Sequence, residues 1–189
     1  MVVIDNFIKD NNLLNEINSS TDFFGPNGDF RWYDGWWNEE KNTLKHRLLH
    51  YIWRDNPVVG PFVIEGFEFW TNAYGADSKS NQNELPPHFD KDEAHWLKTN
   101  EVVSPIVGTV FYPMNNWDEV EGGHLEIFQR GENYPPEVIY PKYNRLVVFG
   151  AGQDLHRITP VTKGTRYSVA INLWDKIPSG VTNNTLKPL

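Results

Sequence analysis

Four residues could do chemistry together. His88 and Asp90 sit one residue apart in "LPPHFDKDEAHW", directly after two prolines, and His156 and Arg166 follow in "GAGQDLHRITPVTKGTRYSVAINLW". On a strand, side chains at i and i+2 share one face of the pleat, so His88 and Asp90 would point the same way. Two neutral imidazoles and one carboxylate, with coordination positions left open, are by type the ligand set of a non-haem iron(II) centre. Nitrogen and oxygen donors hold such an ion without thiolates, and the chain has no cysteine. Arginine's planar fork suits another task, the grip of a carboxylate through two parallel hydrogen bonds. The His-x-Asp spacing alone does not decide the matter. A turn whose aspartate accepts a bond from its own backbone has the same sequence.

The elements that must position these residues are mostly β. From Gly60 onward, "FVIEGFEFWTN", "SPIVGTVFYPMN", "GHLEIFQRG", "EVIYP", "NRLVVFGAG", "HRITPV" and "TRYSVAINLWD" are short strand-like runs divided by Gly, Pro and Asn turn signals. About seven strands at this spacing suit a sandwich or barrel. In the last run, Arg166, Ser168, Ala170 and Asn172 share one face, and Tyr167, Val169, Ile171 and Leu173 share the other. A polar face opposite an apolar one is expected to line a cavity. Before Gly60, "VVID" reads as a strand and "NLLNEIN" as a short helix, while "GPNGDFRWYDGWW" is turn-rich and aromatic. "NEEKNTLKHRLLHYIWRDNP" carries an amphipathic helical stripe at Leu44, Leu48, Tyr51 and Ile52, ended by Asn56-Pro57. The ending "KIPSGVTNNTLKPL" reads as an irregular tail or a strap over the surface. One domain over 1–189 is expected: an N-terminal strand and supporting helices (1–60), a β core (61–175) and a tail (176–189).

Composition narrows the class. The 189 residues are 22% charged and 39% hydrophobic, which is globular rather than disordered, with 8 Trp, 8 Tyr and 11 Phe. A net charge of −8 argues against a nucleic-acid backbone or an anionic membrane surface as the main partner. The opening "MVVIDNFIKDNN" meets charge at Asp5 and Lys9, too early for a signal peptide's apolar core, and no apolar run reaches membrane-spanning length. With no cysteine, the reading is a chain of a reducing compartment, cytoplasmic by expectation.

The motifs taken in order resemble the Fe(II)- and 2-oxoglutarate-dependent oxygenases, and within them the prolyl-4-hydroxylase-like branch. "FYPMNNWDEVEGGHLEIFQRG" is similar to that branch's strand, acidic turn and Gly-Gly strand. "YPKYNRLVVFGAGQDLHRITPVTKGTRYSVAINLW" is similar to its closing segment, and "VIDNFI" to its opening. The match runs from about Gly66 to Trp174. It implies a double-stranded β-helix (a jelly roll of cupin-like type) with the N-terminal helices on one sheet. It implies His88, Asp90 and His156 as Fe(II) ligands, and Arg166 on the distal carboxylate of 2-oxoglutarate. Tyr112 stands where related enzymes share that carboxylate with the arginine, against a plain core role, and Ser168 matches the serine of the Arg-x-Ser pattern. The implied reaction consumes dioxygen, releases succinate and carbon dioxide, and hydroxylates an unactivated C–H bond, with ascorbate as a candidate reductant. The substrate is a peptidyl proline, another amino acid or a small molecule. "GADSKSNQNEL" and "DKDEAHWLKTNEV" are longer than the resemblance implies, so prolyl specificity is not inherited from it.

Other residues take plainer readings. Trp70 is read as core, with the cofactor pocket as the alternative. His46 and His50, four apart on the helix, are read as a solvated face, His95 as an exposed loop residue, and His124 as the start of a strand with a polar outer face. Asp118, Glu119 and Glu121 are read as a solvated turn. Two other functions stay open: a cupin-type metalloenzyme that does not use 2-oxoglutarate, and a carbohydrate-binding sandwich in which the "RWYDGWW" aromatics stack on sugar rings.

Overall fold

The computed structural model describes residues 1–20, 23–24, 31–34, 43–55, 63–76, 83–182 and 185–186. In chain order the first strands are β1 (Val2–Asp5), β2 (Arg31–Asp34), β3 (Gly66–Gly75), β4 (Leu85–His88) and β5 (Val107–Tyr112). They are followed by β6 (Glu121–Gly122), β7 (Leu125–Phe128), β8 (Glu137–Ile139), β9 (Arg145–Phe149) and β10 (Leu155–Ile158). The last are β11 (Val161–Lys163), β12 (Thr165–Trp174), β13 (Val181–Thr182) and β14 (Thr185–Leu186). Helices α1 (Asn11–Ser19) and α2 (Leu44–His50) precede the β core, and α3 (Glu93–Thr99) follows β4.

Two antiparallel sheets make the sandwich. The larger has the order β1-β9-β5-β12-β3-β2 and the smaller β4-β10-β7-β8. Alternation along the strands builds three layers. Phe67, Phe69, Phe111, Leu146, Val148, Val169, Ile171 and Leu173 face one way and pack on Leu13, Leu14 and Ile17 of α1 and Leu48 and Leu49 of α2. From the other face, Tyr112, Val147 and Phe149 meet Leu125, Ile127 and Ile139 of the small sheet. This is the expected jelly roll with its helices on one sheet. Pro86 and Pro87 fit because β4 is an edge strand, where a missing N–H breaks no ladder.

Several expectations need correction. The aromatic stretch read as turns contains β2, whose Trp32 and Tyr33 are buried at the edge of the large sheet. Burial of these rings counts against the sugar-stacking reading; Trp36 and Trp37 lie outside the described residues. The loop after Asp90 contains α3, capped by Asp92, whose Oδ1 accepts from His95 N at 2.9 Å, and ended by left-handed Asn100. No residue of α3 is buried, so it had no apolar stripe to show. His50 is fully buried rather than solvated, and the ring of half-buried His46 meets that of Tyr33 at 4.7 Å. Leu48, Leu49, His50, Ile52 and Trp53 are all buried, a wider arc than the single stripe expected. The chain turns directly from α2 into a π-helical turn, Tyr51–Asp55. His124 precedes β7 and stacks on Tyr140 at 4.4 Å. The described part of the tail forms the hairpin β13–β14. Among the described residues no helix is long and apolar enough to cross a membrane.

Beyond the β1–β9 pairing, one turn residue ties the N-terminus to the β core. Asn144, at φ 57°, is buried and pairs with the Ile8 backbone in both directions: Ile8 N donates to Oδ1 at 2.8 Å, and Nδ2 donates to Ile8 O at 2.9 Å. Asparagine tolerates this left-handed conformation better than other non-glycine residues. Asn144→Ala should therefore lower the unfolding free energy by about 2–4 kcal/mol, measured by urea denaturation, since two buried hydrogen bonds and the turn preference go together.

Candidate functional site

The site lies between the two sheets. A cavity there is lined from the small sheet by Leu85, His88 and His156, and from the large sheet by Arg166, Ser168 and Asn172. His88 and His156 are directly opposite each other in the β4–β10 register. Asp90 lies just past the end of β4 rather than on it, held by its backbone N–H donating to Ala151 O at 2.9 Å. One donor atom from each of His88, Asp90 and His156 lies within 4.8 Å of the others. The expected triad is thus brought together by three separate anchors.

Both imidazoles are turned the same way. His88 Nδ1 donates to Pro86 O at 2.8 Å, and His156 Nδ1 to Asp154 O at 2.9 Å. A carbonyl can only accept, so each ring keeps its proton on Nδ1 and presents Nε2 inward. Those Nε2 atoms stand 3.4 Å and 3.8 Å from Asp90 Oδ1. This is the arrangement found around metal-binding histidines, in which the distal nitrogen is fixed by a backbone acceptor. The donor set fits a divalent first-row ion.

Charge in the cluster is strongly coupled. Burial works against ionisation of Asp90, but the His88 hydrogen bond, the His156 charge and the Asn172 hydrogen bond outweigh it and hold its pKa below the usual value. Burial also pulls His88 down, yet its hydrogen bond and attraction to Asp90 leave it raised. At His156 burial wins, and its pKa is lowered. The two rings are thus driven apart: Asp90 favours the charged form at His88, and burial favours the neutral form at His156.

Arg166 is fully buried at the other end of the cavity. Its Nε donates to Gly123 O at 2.9 Å, Nη1 to Ser168 Oγ at 2.6 Å and Nη2 to Tyr112 OH at 3.1 Å. Gly123 must be glycine: its φ is 67°, and a Cβ would lie 2.8 Å from Arg166 Cδ. Of five guanidinium N–H groups three are used, leaving one on each Nη. Among the described residues no carboxylate pairs with this cation, which is costly for a buried charge. A guanidinium so placed has the shape and sign to receive a carboxylate.

The expected site residues His88, Asp90, His156, Arg166, Tyr112 and Ser168 are all gathered here. Tyr112 combines both readings, its ring in the inter-sheet core and its hydroxyl on Arg166. Trp70, read as core, is half-buried and lines the cavity. Three partners were not anticipated: Tyr74, whose ring faces Arg166 across the β3–β12 pair, and Glu68 and Trp174 beside Asn172. Their only signal was cross-strand register, which spacing within one strand does not contain.

Glu68 is a nearly buried acid. Burial raises its pKa to about 7, against hydrogen bonds from Trp174 and Asn172, and the Asp90 charge adds to the rise. The native state thus holds this proton more tightly than the unfolded chain, whose carboxyl titrates near 4.5. Stability is lost as pH climbs from that value through about 7 and then levels off. In the metal-free protein, Glu68→Gln should remove the loss and gain about 1–3 kcal/mol over the parent at mildly alkaline pH, with little gain in acid. Urea denaturation at the two pH values measures it, and an equal effect at both would refute the buried acid.

Comparison with known proteins follows the same lines. The sequence model of the family described as "2OG-Fe(II) oxygenase superfamily" matches residues 69–174. No curated protein matches the chain. Among solved structures, a Pseudomonas putida prolyl-4-hydroxylase aligns with TM-score 0.57 at 17% identity, over 93% of this chain and 92% of that one. A viral collagen prolyl hydroxylase from Paramecium Bursaria Chlorella virus-1, in its 2-oxoglutarate complex, aligns with TM-score 0.52 at 15% identity, over 91% and 93%. A Trichoplax adhaerens prolyl hydroxylase, bound to a hypoxia inducible factor oxygen degradation domain peptide fragment, gives 0.52 at 18% identity, over 92% and 83%. At such identities the likeness is one of fold.

Proposed function

Because the chain belongs to the 2-oxoglutarate- and iron(II)-dependent oxygenase superfamily, we propose that it is a hydroxylase in which His88, Asp90 and His156 hold Fe(II). In this reading Arg166, with Tyr112 and Ser168, seats the far carboxylate of 2-oxoglutarate. One observation carries it: a buried guanidinium with two N–H groups to spare opens on the same cavity as three convergent metal donors. Bound there, Fe(II) with 2-oxoglutarate and dioxygen supplies an oxidant able to hydroxylate an unactivated C–H bond, with succinate and carbon dioxide as co-products. The chain's own residues do the rest. The Pro86 and Asp154 carbonyls hold the rings, and Asp90 supplies the negative charge. Arg166 orients the co-substrate along the cavity, and the inter-sheet aromatic and aliphatic walls keep bulk water away.

A peptidyl proline is the first substrate to test, since prolyl hydroxylases are among the structural neighbours. Other amino-acid side chains and small molecules suit the same chemistry, and ascorbate belongs in the assay as reductant. A metal centre of cupin type without 2-oxoglutarate leaves the uncompensated Arg166 without a purpose.

Anaerobic addition of Fe(II) and then 2-oxoglutarate should produce a visible metal-to-ligand charge-transfer band that saturates with the co-substrate. Arg166→Ala should weaken 2-oxoglutarate binding roughly a hundredfold, by loss of a charged two-point contact, with Fe(II) binding changed by less than about threefold. Equal loss of both would remove Arg166 from the role. Wherever the free His88 ring carries a second proton, metal binding should also expel it. Apparent affinity should therefore rise with pH until His88 is neutral in the free protein, with release of about one proton per ion on the acid side. Calorimetry in buffers of different ionisation heat reads that number directly.

A further inference from the structure

Resting on the reading of Asp90 as a metal ligand, we propose that Trp174, Glu68 and Asn172 form a positioning relay that fixes which oxygen Asp90 presents. The three side chains connect in one direction. Trp174 Nε1 donates to Glu68 Oε2 at 2.8 Å. Asn172 Nδ2 lies 3.4 Å from the same Oε2 and donates to Asp90 Oδ2 at 2.9 Å. Asp90 Oδ1, the other oxygen, faces the Nε2 atoms of His88 and His156.

The direction is set by chemistry at both ends. An indole nitrogen is a donor only, so Oε2 of Glu68 must accept, whether or not the acid's other oxygen carries a proton. At the near end the ionised Asp90 carboxylate can only accept, so Asn172 turns its NH2 rather than its carbonyl toward both acids. Asn172 then has the same NH2 group facing Asp90, and Oδ2 is tied down as an acceptor. A carboxamide is ambiguous in isolation, because its two ends have nearly the same shape. Here a donor-only residue at one end and an acceptor-only carboxylate at the other remove the ambiguity. Oδ1 is left to present a single oxygen beside the two imidazoles.

The sheet is built to keep this relay in place. Asn172 and Trp174 share a face of β12, and Asn172 is directly paired with Glu68 on β3 and with Gly108 on β5. Gly108 is forced by close approach. A Cβ there would lie 2.4 Å from the Ala151 Cβ and 2.8 Å from Asn172 Oδ1. Ala151 in turn supplies the carbonyl that accepts from Asp90 N. The missing side chain at position 108 thus lets the backbone anchor and the side-chain anchor of Asp90 come in together. Trp174 is fully buried and Asn172 is 2% exposed, which shields the Trp174–Glu68–Asn172 end of the relay from water.

Cobalt(II) is the probe, titrated into the full chain and followed by its d–d absorption. Asn172→Leu keeps the side chain's shape and removes its donor. Freed from its tie, Asp90 should rotate, so the variant should bind Co(II) roughly tenfold or more weakly and show an altered d–d band pattern. Trp174→Phe, which removes the donor-only anchor, should shift both readouts the same way by less. A folded Asn172→Leu protein with the parent's affinity and spectrum overturns the relay, even if its melting temperature falls, because a purely structural role moves only the latter. Should Asn172→Leu not fold, an unchanged affinity and spectrum in Trp174→Phe overturns it instead. Failure of the parent chain itself to bind Co(II) is a different result, and refutes the metal-ligand reading on which the relay rests.

Discussion

Strand β12 separates a dry layer from a polar one, and its residues alternate between them. Val169, Ile171 and Leu173 close the layer of helices α1 and α2, while Arg166, Ser168 and Asn172 face the inter-sheet cavity. The period of two makes this division rigid. A slip of one residue would drive a guanidinium into the hydrophobic layer and a leucine into the site. Ten continuous pairs with β3 and five with β5 hold the register against that slip. The site inherits its precision from this pairing, because the two ends of the cavity are Arg166 and Asn172 on one strand.

Buried charge is the second theme. Arg166, Asp90 and Glu68 are all removed from most solvent, yet each is handled differently. Asp90 stays ionised because two imidazoles and an amide surround it. Glu68 has donors from an indole and an amide and, among the described residues, no cation beside it, so burial wins and its pKa is raised. Arg166 cannot lose its proton, and it is stabilised by three neutral acceptors while two N–H groups remain open. An arrangement that leaves a cation half-satisfied is poor for stability and good for capturing an anion. The same reasoning explains the two histidines. Backbone carbonyls take the Nδ1 protons at no cost in charge and leave Nε2 for the centre.

Much of this was legible in the chain. The alternation in "RYSVAINLW" named the cavity-facing residues, and the ordered His88, Asp90, His156 and Arg166 named the ends of the site. Asn144 and the glycine pair at 122–123 adopt left-handed conformations that those residue types accept easily. What misled was local composition. Arg31–Asp34 sits among turn-forming residues yet adds an edge strand, because the open edge of β3 offers it partners. The α3 segment buries no residue and folds as a helix on the strength of its two caps. His50 is buried because α2 is covered over a wider arc than one stripe describes.

The sequence by itself determined which residue types face which way along each strand, since side-chain direction follows from the pleat and needs no partner. It determined the chemical kinds available: two imidazoles, a carboxylate, a guanidinium and no thiol. Only the tertiary structure decided which of these meet and how they are oriented. His88 and His156 come opposite each other through the β4–β10 pairing, Asp90 is placed by a carbonyl 61 positions away, at Ala151, and Asn172 finds Glu68 across strands 104 positions apart in sequence. Contacts of that range are set by sheet register, and register is a property of two strands together. Neither strand contains it alone.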